Sequence, residues 1–217
     1  MTKSNVFQFG KVVFAALAIP YGAYSIMTFL SGWSFGHGYF NHSLFIQHAP
    51  VLLFLTLCVL LYRRFVAPLE IGILRGIGAH WFALAVFAIY LADWIYGRIS
   101  GVPAEQFVVT IFDKPATGIV TTALTIFLLA PVNEEIVFRG VMLNVFRSSR
   151  QWTLWLGTLL TSLLFMKIHA QYGNVDTNIE LFAFALVMCA ARIRSGGLLL
   201  PVLLHSEAAV FALLFAR

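Results

Sequence analysis

The sequence predicts an all-α fold, a polytopic membrane helix bundle of about seven transmembrane helices, and three observations predict it. Of the 217 residues, 60% are hydrophobic and 11% charged, against about 25% charged in soluble domains; the mean hydropathy is +0.88. The apolar residues gather into runs near 12–30, 44–62, 80–96, 117–146, 153–169, 179–191 and 198–216, most of them close to the roughly 20 residues that a helix needs to cross a bilayer. The basic residues, finally, cluster in alternate connections between these runs, as in proteins that obey the positive-inside rule.

The runs can be justified in order. Lys3 and Lys11 precede the first, and small residues at Gly22 and Ala23 resemble a signal-peptide cleavage region. The run nevertheless continues through Phe29 and Leu30, beyond any such site, and is read as a retained span. His37, His42 and His48 follow at spacings that suit neither an i, i+4 metal pair nor a zinc finger, so they are read as solvent or interfacial histidines. The second run ends at Arg63 and Arg64, and the third opens on His80 and Trp81, an interfacial aromatic pattern repeated by Trp152 and Trp155 at the fifth. The fourth run is too long for a simple span, and Pro131 is expected to bend it. The sixth ends at Arg192 and Arg194, and Ser195-Gly-Gly-Leu198 with Pro201 opens the seventh. With no linker or repeat, residues 1–217 read as a single integral membrane domain, in which 117–212 form the core that carries the motifs.

The net charge of +5 marks sidedness and not nucleic-acid binding, because position matters more than the sum. Lys3, Lys11, Arg63, Arg64, Arg75, Arg147, Arg150, Arg192 and Arg194 fall on one side. Asp93, Glu105, Asp113, Asp176 and Glu180 fall on the other, with Arg98, Lys114, Lys167 and Arg217. This predicts a cytoplasmic N-terminus in a prokaryotic inner membrane. Cys58 and Cys189 lie in apolar runs and read as small buried hydrophobes.

Charges within the fourth run demand a function. A charged group at bilayer depth costs roughly 2.5 to 3.5 kcal/mol even on lenient insertion scales, yet Glu134, Glu135 and Arg139 lie there together. Glu135 and Arg139, at i and i+4, share a helix face and can pair, which turns Glu134 elsewhere and leaves its carboxylate free. At about 1.5 Å per residue, Glu134 lies roughly 20 Å from Arg147, His169 roughly 24 Å from Thr153, and His205 roughly 16 Å from Arg194. All three depths are compatible with a meeting at mid-membrane.

Glu-Glu-x-x-x-Arg at 134–139, Phe-x-x-x-His at 165–169 and a third histidine in a last span opened by Ser-Gly-Gly-Leu-x-x-Pro together resemble the CPBP family, the CAAX proteases and bacteriocin-processing enzymes, also called Abi. The resemblance covers about 117–212. It implies an intramembrane endopeptidase with its active site in an intramembrane cavity. Glu134 would act as general base on a water held with His169, Glu135 would be supported by Arg139, and His205 would donate to the oxyanion. It implies no cofactor and no metal, a membrane-associated peptide or protein as substrate, the lipid bilayer as surroundings, and no nucleic acid. Prenylated C-terminal peptides, bacteriocin or pheromone leaders and C-terminal sorting signals are the substrate classes it offers. One position departs from the family. Where its last motif reads His-x-x-x-Asn, this chain has Ala209, which removes an oxyanion donor; Asn133, Asn144 and Lys167 are the candidates to replace it. A non-catalytic binding, immunity or transport component, and a zinc-dependent hydrolase, are the alternative readings.

Overall fold

The structure, a computed structural model, describes residues 3–148 and 150–216; Arg217 and the side chain of Lys3, both used above for sidedness, lie outside the described residues. It is helical throughout: α1 (Lys3–Gly36), α2 (Ser43–Phe65), α3 (Ala79–Ser100), the short α4 (Gln106–Phe112), α5 (Ala116–Phe146), α6 (Gln151–Ile168), α7 (Val175–Ser195) and α8 (Leu199–Leu214). Large apolar side chains such as Phe14, Leu53 and Ile99 are 73%, 74% and 81% exposed, a surface suited to lipid and not to water.

Four helices, α1, α2, α3 and α5, are long and apolar enough to span a membrane, and α8 is a shorter apolar helix. The predicted fifth and sixth runs are helical where expected. They fall outside this group for a physical reason: α6 has 18 residues that include Gln151 and Lys167, and α7 carries Asp176, Glu180, Arg192 and Arg194.

Helix α5 is the centre of the bundle. A third of its most apolar window is buried, 33% against 17–22% for α1 to α3. It supplies Phe138 to a core built with α3, α6, α7 and α8, and Val141 to a second core built with α1 and α2. Around Pro131, where a bend is expected, the helix has two wide π-helical stretches, Thr125–Leu129 and Ile136–Met142, on either side of Ala130–Glu135. Pro131 has no N–H to offer the preceding turn, and a π turn absorbs that defect without ending the helix. π turns recur at functional sites, and here they bracket both glutamates.

The Ser-Gly-Gly motif is explained by a close approach. Gly196 ends α7 with a φ of 71°, and a Cβ at Gly197 would collide with the backbone of Ile71 and Gly72. In its absence the 66–78 connection runs directly against the α7–α8 turn, where Leu198 donates to the Glu70 carbonyl (3.1 Å), Leu199 to that of Ile71 (2.9 Å) and Ile73 to that of Ser195 (3.0 Å). This fixes the start of α8, and with it the depth of His205.

Candidate active site

Glu135 and Arg139 form the pair that their spacing predicts. Nη1 of Arg139 donates to Oε1 of Glu135 at 2.9 Å, and the two residues are 1% and 0% exposed respectively. Nη2 donates to the Ala185 carbonyl on α7 at 3.1 Å, and the guanidinium lies 4.7 Å above the Phe165 ring. The same Oε1 also receives Nδ1 of His205 at 2.9 Å.

Glu134, on a neighbouring face, meets both histidines. Its Oε2 is 3.6 Å from Nε2 of His169 and 3.7 Å from Nε2 of His205, a meeting with which the residue counts are compatible. These distances exceed hydrogen-bond length, and Oε2, itself buried, has no hydrogen-bond partner among the described residues. His169 lies just past the last turn of α6, with its Nδ1 2.7 Å from the Phe165 carbonyl. A carbonyl only accepts, so Nδ1 carries a proton, and Nε2 is the nitrogen turned toward Glu134. Phe165, 0% exposed, separates the two histidines; its ring centroid is 4.4 Å from that of His169 and 5.9 Å from that of His205.

His48 is the correction to the sequence reading. It is not a solvent or interfacial residue but 6% exposed, on α2 beside Glu134. Nδ2 of Asn133 donates to the His48 carbonyl at 2.9 Å and lies 3.4 Å from its Nδ1. An amide N–H can only donate, so Nδ1 accepts and the ring proton sits on Nε2. Sequence spacing reveals metal pairs on one helix and carries no signal for a histidine buried against a residue of another helix. The other two members of the group behave as expected: His37 is exposed and stacks on Trp33, and His42, half-buried, contacts Thr121.

Two cavities reach Glu134. One, of about 150 Å³, is lined by His48, Glu134, His169, Tyr172, His205 and Ala209, among others. The other is an apolar groove of about 500 Å³ between α1, α2, α5 and α6, lined by Tyr21, Tyr24, Met27, His48, Glu134 and Ile168 among others. Over the first cavity, Tyr172 stacks on His169 with centroids 6.2 Å apart and meets Phe107 edge-on at 5.7 Å. Burial, and then the charge of Glu134, push the Tyr172 phenol well above its ordinary value, which keeps its proton in place. The connection that carries Tyr172 is held by Glu105, whose carboxylate accepts from the N–H groups of Gly173 (3.0 Å) and Asn174 (2.9 Å).

The candidates to replace an amide at Ala209 separate clearly. Asn133 is buried and engaged with His48. Asn144 bonds the Tyr62 hydroxyl, and it lines neither cavity; Lys167 is exposed and lines neither. The Ser206 hydroxyl turns back to the Val202 carbonyl of its own helix.

Fold and site together define a helical membrane protein built around a buried cluster of carboxylates and histidines. Residues 116–211 match the model of the family described as type II CAAX prenyl endopeptidase Rce1-like, nearly the stretch that carries the motifs. A protein of Escherichia coli described as an uncharacterized 24.3 kDa protein is 47% identical over 216 residues, which span 99% of this chain and 98% of that relative. No solved structure matches the chain. The chain belongs to the Rce1-like branch of the CPBP family.

Proposed function

We propose that this protein is an intramembrane endopeptidase that hydrolyses a peptide bond near the terminus of a membrane-associated substrate through a glutamate-activated water. The observation that carries this reading is the unpartnered Oε2 of Glu134 facing Nε2 of both His169 and His205 in a cavity. A water has two protons to donate, and a carboxylate oxygen and the His169 lone pair are two acceptors. The water so held has its own lone pair free to attack a carbonyl carbon. Glu134 takes a proton from it as the bond forms and returns that proton to the leaving nitrogen.

The tetrahedral intermediate carries an oxyanion that needs N–H donors. His205 already gives Nδ1 to Glu135, so it offers a second N–H at Nε2 only as the imidazolium. In that state two carboxylates, one guanidinium and one imidazolium sum to zero, the balance that a buried site tolerates. His48 supplies the other donor: its tautomer carries the proton on Nε2, and it lines the cavity that Ala209 leaves open. His48 thus takes over on α2 the part that the family gives to an amide on the last helix.

The wider reading is a single domain crossing a prokaryotic inner membrane seven times, with a cytoplasmic N-terminus and no metal or other cofactor. The apolar groove at Glu134 favours a substrate with an apolar segment, and the family's description makes a prenylated C-terminal peptide the first to try. Such a peptide, fluorogenic and supplied to the protein in vesicles, tests the proposal. Glu134→Gln should abolish cleavage while leaving membrane abundance and thermal midpoint unchanged; cleavage by that variant as fast as by the parent overturns the mechanism. A non-catalytic binding role is the second reading, favoured by Ala209, and predicts uptake of the peptide without cleavage by the unaltered protein.

A further inference from the structure

A second polar site lies at the C-terminal end of α5, on the far side of Arg139 from the glutamates' cavity. Arg192 on α7 is 5% exposed, and its one side-chain hydrogen bond among the described residues runs from Nε to the Arg139 carbonyl, at 3.2 Å. No carboxylate among the described residues lies within the 4.0 Å of an ion pair; Glu70, which is exposed, acts on it only from farther away. Arg192 is thus a nearly buried guanidinium whose charge no carboxylate offsets at contact distance. Beside it is a pocket of about 100 Å³, lined by Arg139, Asn144, Arg147, Leu154, Arg192 and Ile193 among others. That is room for about three waters at roughly 30 Å³ each, or for one tetrahedral oxyanion. Within the pocket, Arg139 is already neutralised by Glu135, whereas Arg192 and Arg147 are not.

We infer that this pocket binds a phosphate group, held by the Arg192 guanidinium with Arg147 and the Asn144 amide. Guanidinium forks match phosphate oxygens in pairs. The pocket sits where α5 ends, α6 begins and α7 ends, at the same end of the bundle as Arg63, Arg64, Arg150 and Arg194. Basic pockets between helices at that level bind anionic headgroups, so a phospholipid is the nearest source, and a free phosphate is the other. Because Nε of Arg192 is bonded to the carbonyl of Arg139, the occupant also braces the turn that presents Arg139 to Glu135.

The test is on binding and does not depend on proteolysis. The full-length protein, in maltoside micelles and phosphate-free buffer, is heated alone, with phosphatidylglycerol, with inorganic phosphate, and with a diacylglycerol that lacks the phosphate. At a hundredfold excess over the dissociation constant, the bound phosphate should raise the thermal midpoint by about 5 to 10 °C. A shift with phosphatidylglycerol alone assigns a lipid, and an equal shift with inorganic phosphate assigns a soluble anion; both support the site. No shift with either, or one matched by diacylglycerol, overturns it. Arg192→Gln should remove the shift. Should that variant fail to fold, Arg147→Gln, on the exposed rim, should weaken binding at least threefold, and unaltered affinity there also overturns the inference.

Discussion

Replacing Arg139 by alanine tests whether the Glu135–Arg139 pair is a structural requirement or an incidental contact. Both side chains are almost wholly buried, so the loss leaves the Glu135 carboxylate stranded; breaking a buried pair in this way costs about 3–5 kcal/mol. Two local effects adjust that figure. The Ala185 carbonyl also loses its donor at 3.1 Å, worth about 1–3 kcal/mol if it stays dry, while His205 at 2.9 Å still serves Glu135 and returns part of the loss. A net destabilisation of about 3–4 kcal/mol follows, measured as the shift in a denaturant titration of the purified protein in mixed micelles and as a fall in membrane abundance. The control is Glu135→Gln combined with Arg139→Met, which removes both charges and should recover most of the loss, because well-packed neutral replacements of buried pairs are often near neutral. A single-variant loss below about 1 kcal/mol, or a double variant worse than the single one, would show that the pair is not a structural requirement.

The other predictions concern chemistry. His48→Phe should lower kcat by about a hundred- to a thousand-fold with little change in KM, the usual loss of one oxyanion donor; a rate within threefold of the parent removes His48 from the mechanism. Ala209→Asn, made in the His48→Phe background, should recover at least tenfold of that loss in a peptide-cleavage assay, since Ala209 lines the same cavity. No recovery would mean that the two positions do not serve one oxyanion. Dialysis against a strong chelator should leave cleavage by the unaltered protein unchanged; inactivation reversed by zinc would favour the metal-dependent reading.

Much of this site was legible because it obeys two simple periods. The i, i+4 spacing gave the Glu135–Arg139 pair, and residue counts from the basic ends of three helices gave the shared depth of Glu134, His169 and His205. The π-helical stretches were not legible, since an inserted residue widens a turn without altering hydropathy. Only Pro131 hinted at them. The same limit hid His48: its partner Asn133 is 85 residues away, and the key acceptor is a backbone carbonyl, which no side-chain pattern records. Glu105 escaped for a similar reason, as it caps the connection before α7 from a separate loop. The helices at 151–168 and 175–195 were located correctly, but their polar residues keep them apart from the four long apolar ones.

The adjacent glutamates acquire opposite characters through their surroundings alone. Glu135 places Oε1 against both Arg139 and His205 at 2.9 Å, so a proton taken up there would forfeit two charge-assisted bonds. Glu134 has no bond of that kind to lose: its Oε2 is buried without a hydrogen-bond partner, beside the cavity that the residue lines. His205 joins the two, Nδ1 on one carboxylate and Nε2 toward the other. Its orientation is therefore set by Glu135 and directed at Glu134, the base of the proposed mechanism. That arrangement explains why a pair of neighbouring acids, one helix turn from an arginine, is needed where a single acid would suffice to hold a proton: the second fixes the histidine, and the first is left free to react.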